Sequence, residues 1–312
     1  MPDNLVLIDG GSNSKLTNEV AKKLGIKIHA AAVQKFNDGE TKVEIHDHVR
    51  GKNVFILQST SEPVNEHLMD LLVLIDAIRR SSAATITAVM PYFGYARQDR
   101  KDKPRVPITA KLVANLLTTA GATRVVTVDL HAHQIQGFFD ISLDHLYARN
   151  ILLEKIKSVG KDITVVSPDV GGAKMAEGFS ERLGVSMAIM HKKRLDDSNT
   201  VVSGIVGDVA GRDAVIVDDV IATAGSLCEA ATVLKKGGAK KVYAAITHGV
   251  LSGPAIERLE KSEIDKLYIT DTIQQPKEKL ISKIEVVSCA TLLADTISRI
   301  SDNRSVSQLF KD

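Results

Sequence analysis

Apolar residues along the chain fall into two alternating kinds of run. Short β-branched runs at residues 53–58, 85–90, 124–129, 163–167, 214–217 and 241–247 read as strands covered on both faces, because a strand with one wet face alternates apolar and polar positions. Between them, residues 65–80, 108–120, 171–183 and 226–236 repeat apolar positions every three or four residues, which gives a helix one apolar face. This alternation predicts an α/β fold of mainly parallel sheets flanked by helices. No linker rich in Gly, Pro or Ser interrupts the chain. Its weakest point is a polar, aromatic-bearing stretch at 144–150 leading into a helix at 151–157, and a domain boundary is expected there. The expected organisation is a first domain over residues 1–147, a second over 148–289, and a helix and tail over 290–312.

Composition narrows the picture a little. At 312 residues, 44% of them hydrophobic, the chain is long enough for two separate cores. Forty basic against thirty-eight acidic residues leave a net charge of +2, which argues against a nucleic-acid partner. The start, Met1-Pro-Asp-Asn-Leu5, lacks the basic segment and apolar core of a signal peptide, and no apolar run reaches membrane-spanning length. A cytoplasmic protein without a membrane partner is expected. Cys228 and Cys289 sit in small, apolar settings with no Cys or His at ligand spacing, and are expected as buried thiols.

The richest chemistry lies at Ala214-Val-Ile-Val-Asp-Asp-Val-Ile-Ala-Thr-Ala-Gly-Ser226. A buried strand is expected to deliver Asp218 and Asp219 to its carboxyl end, the edge of an open α/β sheet where ligands bind. Thr223, Ala224, Gly225 and Ser226 then lead into a helix, so backbone N–H groups, two hydroxyls and a helix start are available to one phosphate. The acids remain to accept from sugar hydroxyls. An isolated Asp-Asp is more often a solvated strand end; the complete string of strand, acids, loop and helix favours a sugar-phosphate pocket.

That segment resembles the phosphoribosyl-pyrophosphate loop shared by type I phosphoribosyltransferases and ribose-phosphate pyrophosphokinases. Four further segments separate the two. Pro91-Tyr-Phe-Gly-Tyr-Ala-Arg-Gln-Asp-Arg-Lys-Asp-Lys103, Val128-Asp-Leu-His-Ala-His-Gln-Ile-Gln-Gly-Phe-Phe-Asp140, Ser167-Pro-Asp-Val-Gly-Gly-Ala-Lys174 and Thr247-His-Gly-Val-Leu-Ser-Gly-Pro254 are similar to hallmark segments of the pyrophosphokinases. They occur in that family's order, and the resemblance runs from Phe36 to Phe310.

The resemblance implies two domains of type I phosphoribosyltransferase-like fold, with the 290–312 tail returning to the first. It implies transfer of pyrophosphate from ATP to the anomeric hydroxyl of ribose 5-phosphate, giving 5-phosphoribosyl 1-pyrophosphate and AMP, with Mg²⁺ as the metal. It assigns Phe36, Asp38 and Glu40 to adenine, and Arg97, Gln98, Lys101 and Asp102 to the rest of ATP. The metal falls to His131 and Asp169, supported by Asp129. Lys192 and Arg194, on a mobile loop over residues 191–194, act on the transferring group. Asp218 and Asp219 take the ribose hydroxyls, and Thr223, Ala224, Gly225 and Ser226 the 5-phosphate. An ATP site shared within a dimer, a homohexamer of such dimers, activation by inorganic phosphate and inhibition by ADP also follow from the resemblance. Arg50, Arg105, Thr109 and Gln136 are the candidates for that regulatory anion site.

Three positions depart from the family. Ala222 stands where a third acid is usual, Ser226 replaces a Thr, and His133 stands where Ser or Asp is common and reads as a solvent-side variant. Two alternatives therefore stay open. A base phosphoribosyltransferase shares the loop but has no need of residues 36–40, the Lys192 and Arg194 pair or a second domain. A non-catalytic regulatory homologue is favoured by Ala222 and opposed by the retained His131, Asp169, Lys192 and Arg194.

Overall fold

The computed structural model describes residues 4–194 and 200–310, with the backbone alone for 192–194, 200–203 and 310. The chain divides into two compact units. The first takes Met1–Tyr147, Thr272–Gln274 and Ser288–Asp312; the second takes Ala148–Asp271 and Gln275–Val287.

In the first unit the order is β1 (Leu5–Asp9), α1 (Ser14–Leu24), β2 (Ala31–Lys35), β3 (Thr41–Ile45), β4 (Asn53–Leu57), α2 (Val64–Arg80), β5 (Thr85–Met90), α3 (Thr109–Ala120), β6 (Arg124–Val128) and β7 (Ser142–Leu146). Strands β1, β4, β5, β6 and β7 lie side by side in that order, all parallel. Val54, Ile56, Ile86 and Ala88 pack with Leu71, Leu74 and Ile78 of α2 and Val113 and Leu117 of α3. Each such buried aliphatic side chain contributes about 1.5–3 kcal/mol. The polar stretch at 144–150, where a domain boundary is expected, begins with the end of β7, whose Asp144 is held by Arg124 of neighbouring β6 at 2.5 Å. A side-chain ion pair across two strands makes a polar segment look like a loop in the sequence.

Strands β2 and β3 form a separate antiparallel hairpin. It is tied to α2 by Asp70, whose Oδ1 accepts from Lys35 Nζ at 2.8 Å and from Thr41 Oγ1 at 2.7 Å. Helix α1 is framed by ordinary caps: Asn13 accepts from the Leu16 N–H at 3.2 Å, and Gly25 ends the helix in the left-handed region at φ 67°.

The second unit continues with α4 (Arg149–Lys157), β8 (Ile163–Ser167), α5 (Ala173–Leu183), β9 (Ser186–Arg194), β10 (Thr200–Val206), β11 (Asp213–Ile221), α6 (Gly225–Lys236), β12 (Val242–Gly249), α7 (Ala255–Lys261), β13 (Lys266–Thr270) and β14 (Ile284–Val287). The sheet order is β10-β9-β8-β11-β12-β13-β14, parallel except where β9 and β10 pair antiparallel. Successive residues of β11 serve opposite cores. Ala214 and Ile216 face Ala230 and Leu234 of α6, whereas Val215 and Val217 join Leu152 and Ile156 of α4 and Phe179 of α5. Both faces are therefore dry, which accounts for the unbroken apolar run.

The last helix, α8 (Ala290–Ser301), belongs to the first unit and packs on α1. Leu16, Val20 and Leu24 of α1 and Leu293 and Ile297 of α8 are buried, and Ser288 Oγ donates to Glu19 Oε2 at 2.9 Å. Cys289 is buried and Cys228 half-buried, and the two are not joined in a disulfide. Among the described residues, no helix is long and apolar enough to cross a membrane.

Candidate functional site

In the second unit the strand order turns back between β8 and β11, which places their carboxyl ends side by side. Ligands of open α/β sheets bind at such a reversal. Asp169 follows β8, and Asp218 and Asp219 lie on β11. The strand expected to end in the two acids runs on: β11 continues through them to Ile221, with Asp218 opposite Ile246 and Val220 opposite His248. Keeping the ladder intact past Val217 holds the acids on rigid backbone.

Burial, and after it the charge of Asp219, pushes the Asp218 carboxyl up from 3.8 to about 8, with Asp169 adding a smaller push. The pair on β11 therefore holds a proton more readily than a free carboxylate does, and a carboxyl that keeps it can donate as well as accept. Asp218 Oδ1 already accepts the Asp219 N–H at 2.9 Å. Asp169 is held by its own turn: Oδ1 accepts the Gly172 N–H at 3.1 Å, and its carbonyl accepts from Ser167 Oγ at 2.6 Å.

Beyond β11 the loop at 222–226 carries exposed Thr223 and Ser226. Ala224 takes a left-handed conformation, φ 60° and ψ 1°, and helix α6 starts at once from Gly225 with no side-chain cap. An uncapped first turn leaves its N–H groups and the positive end of the helix dipole for an anion. Ala222 is pinned through its carbonyl, which accepts the Ser252 N–H at 3.0 Å.

In the first unit, β6 ends at Val128 and Asp129 turns the chain with φ 36°. Two bonds from β7 hold this left-handed turn. The Asp129 N–H donates to the Leu146 carbonyl at 2.9 Å, and the Leu130 N–H donates to His145 Nε2 at 2.9 Å. His131 follows and is exposed. His133 is also exposed, on the solvent side as expected, and its ring centroid lies 5.3 Å from that of His145 and 5.9 Å from that of Tyr147.

Residues 36–40 form the tip of the β2–β3 hairpin. Its turn is closed by the Phe36 N–H to the Glu40 carbonyl at 2.8 Å and the Glu40 N–H to Asp38 Oδ1 at 3.1 Å, with Gly39 at φ 93°. Phe36 is 50% exposed, with the Lys42 ammonium 5.9 Å from its ring centroid. An exposed ring at a hairpin tip suits stacking on a base. Arg97, Gln98, Lys101 and Asp102 are exposed in the segment after β5, and Gln98 Oε1 accepts from Thr109 Oγ1 at 2.5 Å. That segment starts where two stretches of the chain approach closely: the Gly94 N–H donates to Thr60 Oγ1 at 2.7 Å.

Lys192 and Arg194 are not in a loop over residues 191–194. Strand β9 runs through them, Lys192 opposite Val202 and Arg194 opposite Thr200. Their side chains lie outside the described residues. Of the four candidate anion-site residues, Arg50 precedes β4 and bonds Ser82 Oγ at 3.1 Å, at the amino edge of the first sheet. Arg105, Thr109 and Gln136 follow the carboxyl ends of β5 and β6. Within one chain the four are divided between opposite edges.

His131 belongs to the first unit and Asp169 to the second. Among the described residues, no three His, Cys, Asp or Glu side chains form a ready metal cage. Magnesium does not ask for one, since it is commonly held by one or two carboxylates, water and substrate phosphates. The carboxylates at the β8 and β11 ends have the donor chemistry it needs. His145 and the pair formed by Gly94 and Thr60 are supporting residues not foreseen from the sequence. A polar residue at a buried strand position is the signal for His145.

Comparison with known proteins covers the whole chain. The model of the N-terminal domain of ribose phosphate pyrophosphokinase matches residues 5–121, and that of the phosphoribosyl synthetase-associated domain matches residues 200–311. The chain is 50% identical over 311 residues to a ribose-phosphate pyrophosphokinase of Fusobacterium nucleatum, spanning 99% of this chain and 98% of that one. It is 53% identical over 300 residues to one of Bacillus caldolyticus, spanning 96% and 95%. The crystal structure of phosphoribosylpyrophosphate synthetase from Mycobacterium smegmatis superposes with a TM-score of 0.92 at 42% identity, over 96% of this chain and 100% of that one.

Proposed function

Because the chain belongs to the ribose-phosphate pyrophosphokinase family, we propose a division of its residues over the family's reaction, the synthesis of 5-phosphoribosyl 1-pyrophosphate from ATP and ribose 5-phosphate. The anomeric hydroxyl oxygen attacks the β-phosphorus of ATP. A new O–P bond forms as the bond from that phosphorus to the α,β-bridging oxygen breaks; AMP keeps the bridging oxygen, and the hydroxyl proton passes to solvent.

Asp218 and Asp219 bind the ribose hydroxyls, and the 5-phosphate sits on Thr223, Ala224, Gly225 and Ser226. The carrying observation is the acid pair on β11, Asp219 buried and Asp218 half-buried, followed by the uncapped start of α6. Phe36 stacks on adenine, with Asp38 and Glu40 at its polar edge, while Arg97, Gln98, Lys101 and Asp102 orient the rest of ATP. His131 and Asp169 hold Mg²⁺, which when bound screens the triphosphate charge. Lys192 and Arg194 stabilise charge on the pyrophosphoryl group in flight, where contacts that strengthen only in the transition state raise the rate.

The chain works in the cytoplasm as a homohexamer of dimers, with the ATP site shared between neighbouring subunits. Phosphate and ADP act at Arg50, Arg105, Thr109 and Gln136, for which a second copy supplies what one chain keeps apart.

The test is AMP formation from ATP with and without ribose 5-phosphate at fixed Mg²⁺. Sugar-dependent AMP in equal amount to phosphoribosyl pyrophosphate is expected. No AMP, with consumption of supplied phosphoribosyl pyrophosphate by a free base, would make the chain a phosphoribosyltransferase; neither activity would make it a regulatory subunit.

A further inference from the structure

Behind the loop at 222–226, on the side of α7, lies a residue with no role so far. Arg258 Nη1 donates to the carbonyl of Thr223 at 3.0 Å. The peptide between Thr223 and Ala224 is trans and planar, so its carbonyl and its N–H point in opposite directions. With the Thr223 carbonyl turned to Arg258, the Ala224 N–H faces away from α7. Ala224 is the residue held in the left-handed conformation, and rotation of that one peptide would withdraw its N–H and alter the entry into α6.

A second observation concerns Gly225. A Cβ placed there would lie 3.2 Å from Arg258 Nη1, closer than ordinary van der Waals contact. Gly225 has no positive φ to explain it, so the room it leaves is room for the guanidinium. Arg258 is in turn delivered by a secured helix. Lys283 Nζ donates to the carbonyls of Leu259 at 3.0 Å, Glu260 at 3.1 Å and Ser262 at 2.8 Å, closing the end of α7, while Ala255 and Leu259 are buried in the core. A charged donor on a fixed helix is well suited to hold a loop in its binding shape.

We infer that Arg258 is a positioning residue for the sugar phosphate, fixing the Thr223–Ala224 peptide so that the loop presents its N–H groups to the 5-phosphate, and adding a positive charge behind them. The inference rests on the assignment of residues 223–226 to that phosphate. Arg258 itself need not touch the substrate.

The experiment compares Arg258→Met, Arg258→Lys and Gly225→Ala with the unaltered protein, by steady-state kinetics in both substrates and by calorimetric binding of ribose 5-phosphate. Arg258→Met is expected to raise KM and the dissociation constant for ribose 5-phosphate about tenfold, as loss of one charge-assisted bond does, with KM for ATP nearly unchanged. Arg258→Lys should recover part of this. Gly225→Ala should weaken sugar binding in the unaltered protein and add little in the Arg258→Met background, because both act through one contact. Unchanged sugar binding in Arg258→Met, equal effects on both substrates, or full additivity with Gly225→Ala would overturn the inference. Failure of the unaltered protein to bind ribose 5-phosphate would instead remove the assignment on which it rests.

Discussion

The ring of His145 accepts the backbone N–H of Leu130 through Nε2 at 2.9 Å, and so one side chain of β7 holds the turn that presents His131. An accepting Nε2 requires the proton on Nδ1, so this histidine serves in its neutral form. His145→Phe keeps the ring but leaves the Leu130 N–H buried without that acceptor, a cost of about 1–3 kcal/mol. Expected are a lowered melting temperature and a higher Mg²⁺ concentration for half-maximal activity. His145→Gln, whose amide oxygen can take the place of Nε2, should restore much of both. An unchanged Mg²⁺ requirement in His145→Phe would limit the bond to a structural role.

The acid pair on β11 makes stability depend on pH in a direction opposite to that of most carboxylates. Asp218 titrates near 3.8 when unfolded and near 8 when folded, so the folded state holds the extra proton between these values. Its contribution is fully present below 3.8 and is lost as pH rises through about 8. Melting temperatures of the ligand-free protein at pH 6, 7.5 and 9 should therefore show Asp218→Asn gaining on the unaltered protein as pH rises. Parallel curves would mean that Asp218 is charged throughout.

At Gly94 the limit is space rather than backbone angle. An added Cβ would fall 2.4 Å from the Thr60 carbonyl oxygen, and Thr60 is itself fixed by its N–H to the Tyr92 carbonyl at 3.0 Å. Gly94→Ala should cost about 1–3 kcal/mol through overpacking. Because Arg97 and Gln98 follow within one turn, KM for ATP should rise more than KM for ribose 5-phosphate. A thermal melt and paired kinetics check both.

Truncation of Lys192 or Arg194 to Ala should lower kcat about a hundredfold to a thousandfold, the effect of about 3–4 kcal/mol of lost transition-state stabilisation, and change either KM far less. Near-normal kcat in both variants would move that role to Arg97 and Lys101.

What the sequence discloses follows from how completely a segment's environment is written in its own residues. Strands at 85–90 and 163–167 are legible to the residue, because burial on both faces leaves only apolar or small side chains. The hairpin of β9 and β10 is not. Beyond Ile189 strand β9 pairs with β10 alone, and a strand near the edge of a sheet tolerates His191, Lys192, Lys193 and Arg194, which read as a turn. Strand β7 is hidden for a related reason, its Asp144 being answered by Arg124 twenty residues earlier. The acids and small residues at 218–226 stand out as a string, whereas Arg258 has no mark in the sequence; only the fold brings α7 behind the loop.

The path of the chain has a consequence for its synthesis. Helix α8, which covers Leu16, Val20 and Leu24 of α1, is made after every strand of both sheets. During translation the second unit has all its segments, ending at Val287, while the first still exposes one apolar helix face. Such a face invites association with other nascent chains until it is covered. The first unit to emerge is therefore the last to be closed, and a released chain cut short before residue 290 would carry every strand of both sheets yet leave that face of α1 bare.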